Sequence, residues 1–234
     1  PEQYRLFYIE TILPRYPRAS LVFGQVIHQA LACFFLTEGE LVQAFEEAWK
    51  GVKQIELTYN QRESWEIYNE LGKALMEKFL EEELARFGNV EAVEEEFELY
   101  ISNIELPFIG VIDLKAEVDG KRTIVEFKTS ATAYNAYEAI LSDQLTAYQL
   151  VEPEFGQIAL CVFVKTKTPK IEWHITKRSG ERLTEFLTKA ELVGNEICQR
   201  RFYRRSGKWC SWCDYVPLCT GNREKAKETL IGIT

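Results

Sequence analysis

The spacing of apolar residues predicts a helical first third of the chain, followed by a strand-rich middle. Apolar residues recur at helical spacing in three segments: residues 21–35, 41–49 and 63–87. Gly88 and Asn89 then favour the end of the third helix. From Val90 onward the period of the apolar residues changes to two, which is typical of a strand with one face in contact with the core.

The remaining pattern predicts an α/β fold. Four further segments have the composition of strands: residues 108–118, 122–129, 157–165 and 170–176. Two segments are predicted as helices: residues 137–151 and 180–203. This order indicates a mixed central sheet flanked by helices. We expect three parts within one domain: an N-terminal helical region over 1–89, a core over 90–205 and a cysteine-rich tail over 206–234.

Charge and composition narrow the class of protein. Of the 234 residues 46% are hydrophobic, which fits a folded domain, and the net charge is 28 − 36 = −8. This acidic balance argues against binding nucleic acid by bulk charge alone, but it allows a local basic track. The longest uninterrupted apolar run, residues 158–164, is too short to span a bilayer, and no basic leader precedes an apolar core after Pro1. These features predict a cytoplasmic protein.

Three charged residues in two predicted strands form a candidate site. Asp113 closes one apolar run, Glu126 and Lys128 follow the next, and Asp119-Gly120 between them is a hairpin signal. Side chains alternate between the two faces of a strand, so Glu126 and Lys128 share a face. Two carboxylates and an ammonium suit a divalent cation and a phosphate. The alternative is a cross-strand salt bridge on a solvated face.

Two helical segments carry groups that could support such a site. Gln144 and Tyr148 are four residues apart and share one helix face, where they could hold a water, Lys128 or a phosphate oxygen. His28 could add a nitrogen ligand to a metal held by carboxylates, which would favour Mn²⁺ over Mg²⁺. The alternatives are an ordinary, partly buried helix for the first pair and a packed histidine for the second.

Four short motifs occur in order along the chain: Gly24-x3-His28, Gly110-x2-Asp113, Glu126-x-Lys128 and Gln144-x3-Tyr148. Over most of the chain, from about residue 4 to 219, they resemble the RecB-type branch of the PD-(D/E)xK nuclease superfamily. That branch includes the nuclease domains of RecB and AddB and the RecB-like exonucleases associated with CRISPR systems. The resemblance implies a restriction-endonuclease-like fold and a DNA exonuclease acting on ends or single strands, in DNA repair, recombination or phage/CRISPR defence.

The resemblance also implies residue roles. Mg²⁺ or Mn²⁺ would be held by His28, Asp113, Glu126 and the backbone carbonyl of Phe127. The catalytic residues would be Asp113, Glu126, Lys128, Gln144 and Tyr148. Glu96, on the preceding strand, is a candidate for an acid behind the metal ligands. Partners would be DNA and either helicase or CRISPR-adaptation proteins.

Three cysteines near the C-terminal end predict a second metal site. Cys210, Cys213 and Cys219 have the spacing Cys-x2-Cys-x5-Cys, which is rare for unrelated thiols. Zinc and 4Fe-4S sites both take four ligands, so one ligand is absent from this group. In iron–sulfur members of the resembled family the first cysteine lies far upstream. The resemblance therefore implies a 4Fe-4S cluster whose fourth cysteine immediately precedes Pro1, with Zn²⁺ as the alternative.

A basic stretch adjoins the cysteines. Its cations alternate with aromatic residues, as in sites that bind single-stranded DNA: Arg200, Arg201, Arg204, Arg205 and Lys208. A solvated helix end explains the same stretch equally well. Two functions remain open besides a nuclease. One is a non-catalytic DNA-end-binding or scaffold subunit of a helicase–nuclease or integration complex, and the other is a zinc-knuckle interaction protein.

Overall fold

The computed structural model describes residues 1–233. Its helices are α1 Glu2–Tyr4, α2 Ala19–Thr37, α3 Leu41–Val52, α4 Trp65–Lys78, α5 Ala136–Ile140, α6 Asp143–Val151, α7 Gly180–Cys198, α8 Val216–Cys219 and α9 Arg223–Thr229. Its strands are β1 Leu13–Pro14, β2 Phe87–Leu99, β3 Phe108–Val118, β4 Lys121–Ser130, β5 Gln157–Val164, β6 Lys170–Thr176 and β7 Leu230–Ile231. The predicted α/β order is confirmed.

The central sheet has five strands in the order β2-β3-β4-β5-β6. All neighbours are antiparallel except β4 and β5, which are parallel, so the sheet is mixed as predicted. A parallel step needs a crossover, and α5 and α6 provide it. The β3–β4 connection is the predicted hairpin, because Asp119 and Gly120 have the positive φ values of 51° and 74° that such a two-residue turn needs.

Two helical layers cover the sheet. Helices α2, α3 and α4 pack on one face around an aromatic core that includes Phe23, Trp49 and Phe127. Helix α6 covers the other face, where Leu145 meets residues such as Ile124. Phe127 therefore points into the α2 layer. The strand alternation places its neighbours, residues 126 and 128, toward α6.

A third cluster joins the two ends of the chain. Strand β1 pairs with β7, and Tyr215 donates a hydrogen bond of 2.7 Å to the carbonyl of Ile12. Arg18 contacts Asp214 at 2.7 Å. The β1–β7 pair was not predicted, because strands of two residues leave no periodic signal in the sequence. Helix α9 was not predicted either.

Three predicted boundaries are wrong. The helical path from α4 continues through a π-helical turn and a 3₁₀ turn only to Arg86, and residues 87–89 already belong to β2. The predicted 137–151 helix is two helices, because the Ser142 side chain accepts a hydrogen bond of 3.3 Å from the N–H of Leu145 and starts α6. Helix α7 ends at Cys198 rather than residue 203, since Arg200 adopts a φ of 52°.

Helix α2 is long and apolar enough, by length and composition alone, to cross a membrane. In this fold its apolar side chains pack in the core: Phe23, Ile27 and Leu31 are fully buried. The packing of α2 on the sheet accounts for its apolar character.

We expect Gly72→Ala to destabilise the helical layer. A Cβ at Gly72 in α4 would lie 1.9 Å from Cζ of the buried Phe45 ring, so the core would have to move. The expected loss is about 1–3 kcal/mol in the free energy of unfolding, measured by urea denaturation.

The matched control is Gly51→Ala in α3, where an added Cβ meets no atom within 4 Å. It should stabilise the protein by about 0.5–1 kcal/mol, because alanine favours a helix. Equal stabilisation by both substitutions would contradict the packing of Phe45 on α4.

Candidate active site

The candidate site lies where β3 and β4 separate. Their pairing ends at Leu114 and Val125. Beyond this point the N–H of Phe127 donates a hydrogen bond of 2.8 Å to Oδ2 of the buried Asp113. The Asp113 side chain thus takes the place that a β3 carbonyl would fill in a continued ladder. This separation makes room for functional side chains in the middle of the sheet.

On the α6 side, Glu126 and Lys128 belong to a closed hydrogen-bond network. Glu126 accepts from Lys128 through Oε1 and lies 2.7 Å from the Tyr148 hydroxyl through Oε2. Lys128 Nζ also donates to Gln144 Oε1 at 2.8 Å, and Gln144 Nε2 donates to the Tyr148 hydroxyl at 2.8 Å. That hydroxyl lies 2.6 Å from the carbonyl of Val111. The network fixes the positions of the carboxylate and the ammonium.

Gly110 provides space behind this network. A Cβ there would lie 2.6 Å from Cζ of Phe97, so the ring of Phe97 could not keep its place over the strand. That ring packs edge-on against Tyr148, with centroids 5.9 Å apart and planes at 86°. The glycine of the Gly110-x2-Asp113 motif therefore supports Tyr148 through Phe97.

On the α2 side, three possible metal ligands meet. His28 Nδ1 lies 3.4 Å from Asp113 Oδ1, and Glu94 of β2 lies between Val93 and Glu95, whose partners Leu114 and Ile112 flank Asp113. One ligand atom of each residue lies within 4.8 Å of the other two. Glu94 has a φ of 50°, an uncommon conformation for a residue other than glycine that is often found at functional sites. Glu126 is not in this compact group.

Glu94 was missed by the sequence analysis, which named Glu96. Side chains alternate between the two faces of a strand, so residues 94, 96 and 98 of β2 share one face. The sequence therefore predicts which face carries the acids, but not which acid lies at the site. The pairing register alone decides which acid meets Asp113, and Glu96 lies opposite Val111. A bulge between Val90 and Ala92 shifts that register, and no sequence pattern reveals it.

The acids of the site carry excess negative charge. Burial, followed by the charge of Asp113, raises the pKa of Glu126 despite its contact with Lys128. Burial and the charge of Asp113 also raise the pKa of Glu94. Burial disfavours the protonated ring of His28, but the hydrogen bond and charge of Asp113 and the charge of Glu126 outweigh it and raise the pKa of His28. A bound cation would relieve this repulsion.

The available donors fit a divalent metal ion. Carboxylate oxygens are the ligands that Mg²⁺ and Mn²⁺ prefer, and an imidazole nitrogen is compatible with Mn²⁺. His28, Glu94 and Asp113 supply this combination within one small volume. Phe127 contributes its N–H to Asp113, and its side chain is buried in the α2 layer.

Cys210 lies in a 3₁₀ turn over Lys208–Trp212, Cys213 directly follows it, and Cys219 ends α8. The N–H of Cys213 donates to the carbonyl of Cys210 at 3.3 Å, and Arg204 Nη1 donates to the carbonyl of Cys219 at 2.8 Å. Arg204 also lies 3.8 Å from Glu2. Within residues 1–233, the cysteines do not form a group of three ligands as compact as that of His28, Glu94 and Asp113.

The basic stretch is partly engaged within the protein. Arg201 contacts Glu196 at 2.7 Å, and Lys208 lies 5.3 Å from the centroid of the Trp209 ring. Arg200, Arg201, Arg204, Arg205 and Lys208 are all exposed, as is Trp209. The stretch follows α7 and does not line the cleft that contains His28 and Glu94.

The chain belongs to the PD-(D/E)XK nuclease superfamily, whose model matches residues 1–220. Its structure is similar to that of a candidate exonuclease from Eubacterium rectale, with a TM-score of 0.45, 12% identity and coverage of 79% of this chain and 76% of that chain. It is also similar to the protein SSO0001, with a TM-score of 0.42, 16% identity and coverage of 65% of this chain and 76% of that chain. A comparison with curated proteins found no match. The protein is thus a member of a nuclease superfamily with a mixed α/β fold.

We expect Glu94→Gln to weaken Mn²⁺ binding by about tenfold or more, because it removes a charged oxygen ligand from the group with His28 and Asp113. Isothermal titration calorimetry measures the dissociation constant. Glu96→Gln is the control, since Glu96 lies on the same strand but opposite Val111. Unchanged Mn²⁺ affinity in the Glu94 variant, or an equal loss in both, would contradict the placement of the metal.

Proposed function

We propose that this protein is a Mg²⁺- or Mn²⁺-dependent deoxyribonuclease that hydrolyses phosphodiester bonds at DNA ends or in single strands. One observation carries the proposal. The sheet and two helices bring an acid cluster with an imidazole beside a lysine that is held by an acid, an amide and a tyrosine. Membership of the nuclease superfamily supports hydrolysis of a nucleic acid. That the substrate is DNA and that the enzyme acts as an exonuclease are parts of our proposal that go beyond membership of the superfamily.

The metal would be held by Asp113, His28 and Glu126, with the carbonyl of Phe127, and the structure adds Glu94 as a candidate ligand. A bound divalent ion supplies a polarised phosphate oxygen and a water of lowered pKa. Asp113 prepares this site by using Oδ2 for the N–H of Phe127, which leaves Oδ1 directed toward His28.

Lys128 would act on the reacting phosphate and on the attacking water. Its ammonium is positioned by Glu126 and Gln144, and its side chain is partly exposed, so a substrate oxygen can reach it. A fixed ammonium stabilises the negative charge that develops on the phosphate and can donate a hydrogen bond to a water. Because the ammonium of Lys128 is already held in place, it does not have to be reoriented when the reaction occurs.

Gln144 and Tyr148 would keep Lys128 and Glu126 in place. The amide oxygen of Gln144 accepts from Lys128 while its nitrogen donates to Tyr148, so one orientation of the amide satisfies both contacts. Burial and the charge of Glu126 raise the pKa of Tyr148, so its hydroxyl remains protonated and can donate. Both residues are uncharged, and they order the site without adding to its charge.

Lys128→Ala and Asp113→Ala should each lower the rate of DNA cleavage by about 10²–10³-fold or more, because each removes a charged group from the reacting centre. The assay uses end-labelled single- and double-stranded DNA with Mn²⁺. Lys121→Ala is the control, since Lys121 is exposed at the start of the same strand. Undiminished cleavage by both site variants would refute the proposal, whereas DNA binding without cleavage by the unaltered protein would favour the scaffold function.

We further propose that Cys210, Cys213 and Cys219 bind a 4Fe-4S cluster whose fourth ligand is another cysteine, with Zn²⁺ as the alternative. The hydrogen bond between Cys213 and Cys210, and the contacts of Arg204 with both Cys219 and Glu2 near the N-terminus, support this proposal. The cluster would hold the two ends of the chain together and would take no part in the reaction.

A longer form of the protein that supplies a fourth cysteine, purified without oxygen, should contain about four iron atoms and four sulfides per chain. Elemental and sulfide analysis measures both. Cys213→Ser should lose the cluster, whereas Cys161→Ser, at a fully buried position in β5, should retain it. Zinc alone, or no metal, would refute the cluster.

The basic residues 200–208 are proposed as a second contact for the DNA strand, because exposed cations alternate with exposed aromatic rings. The resemblance to RecB-type nucleases supports a cytoplasmic role in DNA repair, recombination or phage/CRISPR defence. Helicases or CRISPR-adaptation proteins would be the partners in such a role.

A further inference from the structure

A deep cleft leads away from the candidate active site. It has a volume of about 960 Å³, and His28 and Glu94 are among the residues that line it. Its α2 wall extends from Ser20 to Ala32, and its floor includes Ser130 and Lys165 at the ends of β4 and β5. The twelve steps from Ser20 to Ala32 rise about 18 Å at 1.5 Å per residue, so the cleft is an elongated groove rather than a round pocket.

The groove has the lining that a nucleotide strand needs. Asn60, Arg62 and Lys165 provide polar and positively charged groups. Leu21 and Ile67 line the same groove and are 64% and 51% exposed, so they add accessible apolar surface to it. Apolar walls suit base faces, and the cations suit phosphates.

Lys165 is the most distinctive residue of the groove. It follows β5 directly, and its N–H donates a hydrogen bond of 2.7 Å to the carbonyl of Ser130. Its ammonium lies 5.4 Å from the centroid of the Phe23 ring and 5.5 Å from that of Tyr68. In the part of the chain that the structure describes, residues 1–233, this ammonium has no hydrogen bond and no ion pair.

Glu63, whose charge acts on Lys165, already takes part in other hydrogen bonds. Glu63 accepts hydrogen bonds from the N–H of Asn60 at 2.9 Å and from its side-chain amide at 3.2 Å. Burial lowers the pKa of Lys165, and the charge of Glu63 opposes this effect only in part. A half-buried cation without a partner costs stability, and two aromatic rings recover only about 0.5–2 kcal/mol of it. An anionic ligand would complete the site.

We propose that Lys165 binds a backbone phosphate of a single nucleic-acid strand that lies in this groove and passes His28 and Glu94. Lys165 is then a positioning residue, because it fixes the register of the strand relative to the reacting phosphate. This inference rests on the proposed nuclease function, whose site shares the groove. A single strand fits because its bases can lie against Leu21 and Ile67, which a paired duplex would not permit.

The test uses Lys165→Met, which keeps the apolar stem over the two rings and removes the charge. Binding of a fluorescent single-stranded deoxyoligonucleotide is measured by anisotropy in the non-cutting Lys128→Ala background. The affinity should fall about 10- to 100-fold. The slope of log K against log salt should become smaller by about 0.7, the value for one phosphate contact to a single strand. In the protein that keeps Lys128, the Lys165→Met substitution should raise KM for DNA cleavage and leave kcat little changed.

Three controls separate binding from structure. Lys165→Arg should retain most of the affinity, and Lys167→Met should bind like the parent, since Lys167 is exposed and outside the groove. The melting temperature of Lys165→Met should be equal to or higher than that of the parent, because an unpaired half-buried charge has been removed.

Several outcomes would overturn the inference. The first is that Lys165→Met leaves both the affinity for the single strand and the salt slope unchanged, and the second is that Lys167→Met loses as much affinity. The third is that both Lys165 variants lose affinity and also melt at a lower temperature. The fourth is that binding of blunt duplex DNA depends on Lys165 to the same extent. The proposed function fails separately. If the unaltered protein cuts no DNA but binds single strands in a Lys165-dependent way, the groove assignment stands and the nuclease proposal does not.

Discussion

The hydrogen bond from the N–H of Phe127 to the carboxylate of Asp113 is the contact on which the rest of the site depends. It replaces a bond of the β3–β4 ladder with a side-chain contact, so the two strands can separate without leaving a buried N–H unpaired. The separation admits Tyr148 from α6 to the carbonyl of Val111. It also directs the second oxygen of Asp113 toward His28. One acid at one strand position therefore connects both faces of the sheet.

The site gathers negative charge that the fold must hold against repulsion. Glu126 is 1% exposed and lies close enough to Asp113 for the charge of Asp113 to raise its pKa. Lys128 and Tyr148 each engage one oxygen of Glu126, and Phe127 packs into the aromatic core on the other face of the strand. Such an arrangement costs stability in the protein alone and becomes favourable when a cation is bound. The same reasoning applies to the ammonium of Lys165 in the groove, which has no ion pair among residues 1–233.

Local pattern was sufficient to predict much of this arrangement. Strand alternation placed Glu126 and Lys128 on one face, and the structure brings them together with Gln144 and Tyr148 through helical spacing. Glu94 was not predicted, because the choice between residues 94 and 96 depends on a bulge in β2 that has no sequence signature. Lys165 was not singled out either, since only the packing of α2 and α4 over β5 makes it half-buried. The interruption at Ser142 could have been predicted from its capping side chain.

The central claim is that Asp113 and its neighbours form a divalent-metal centre. Crystals soaked in Mn²⁺ and measured for anomalous scattering test it directly. We predict a strong Mn²⁺ peak among His28, Glu94, Asp113 and Glu126, at ligand distances of about 2.0–2.3 Å. The absence of a peak there at saturating Mn²⁺, with the side chains ordered, would contradict the account.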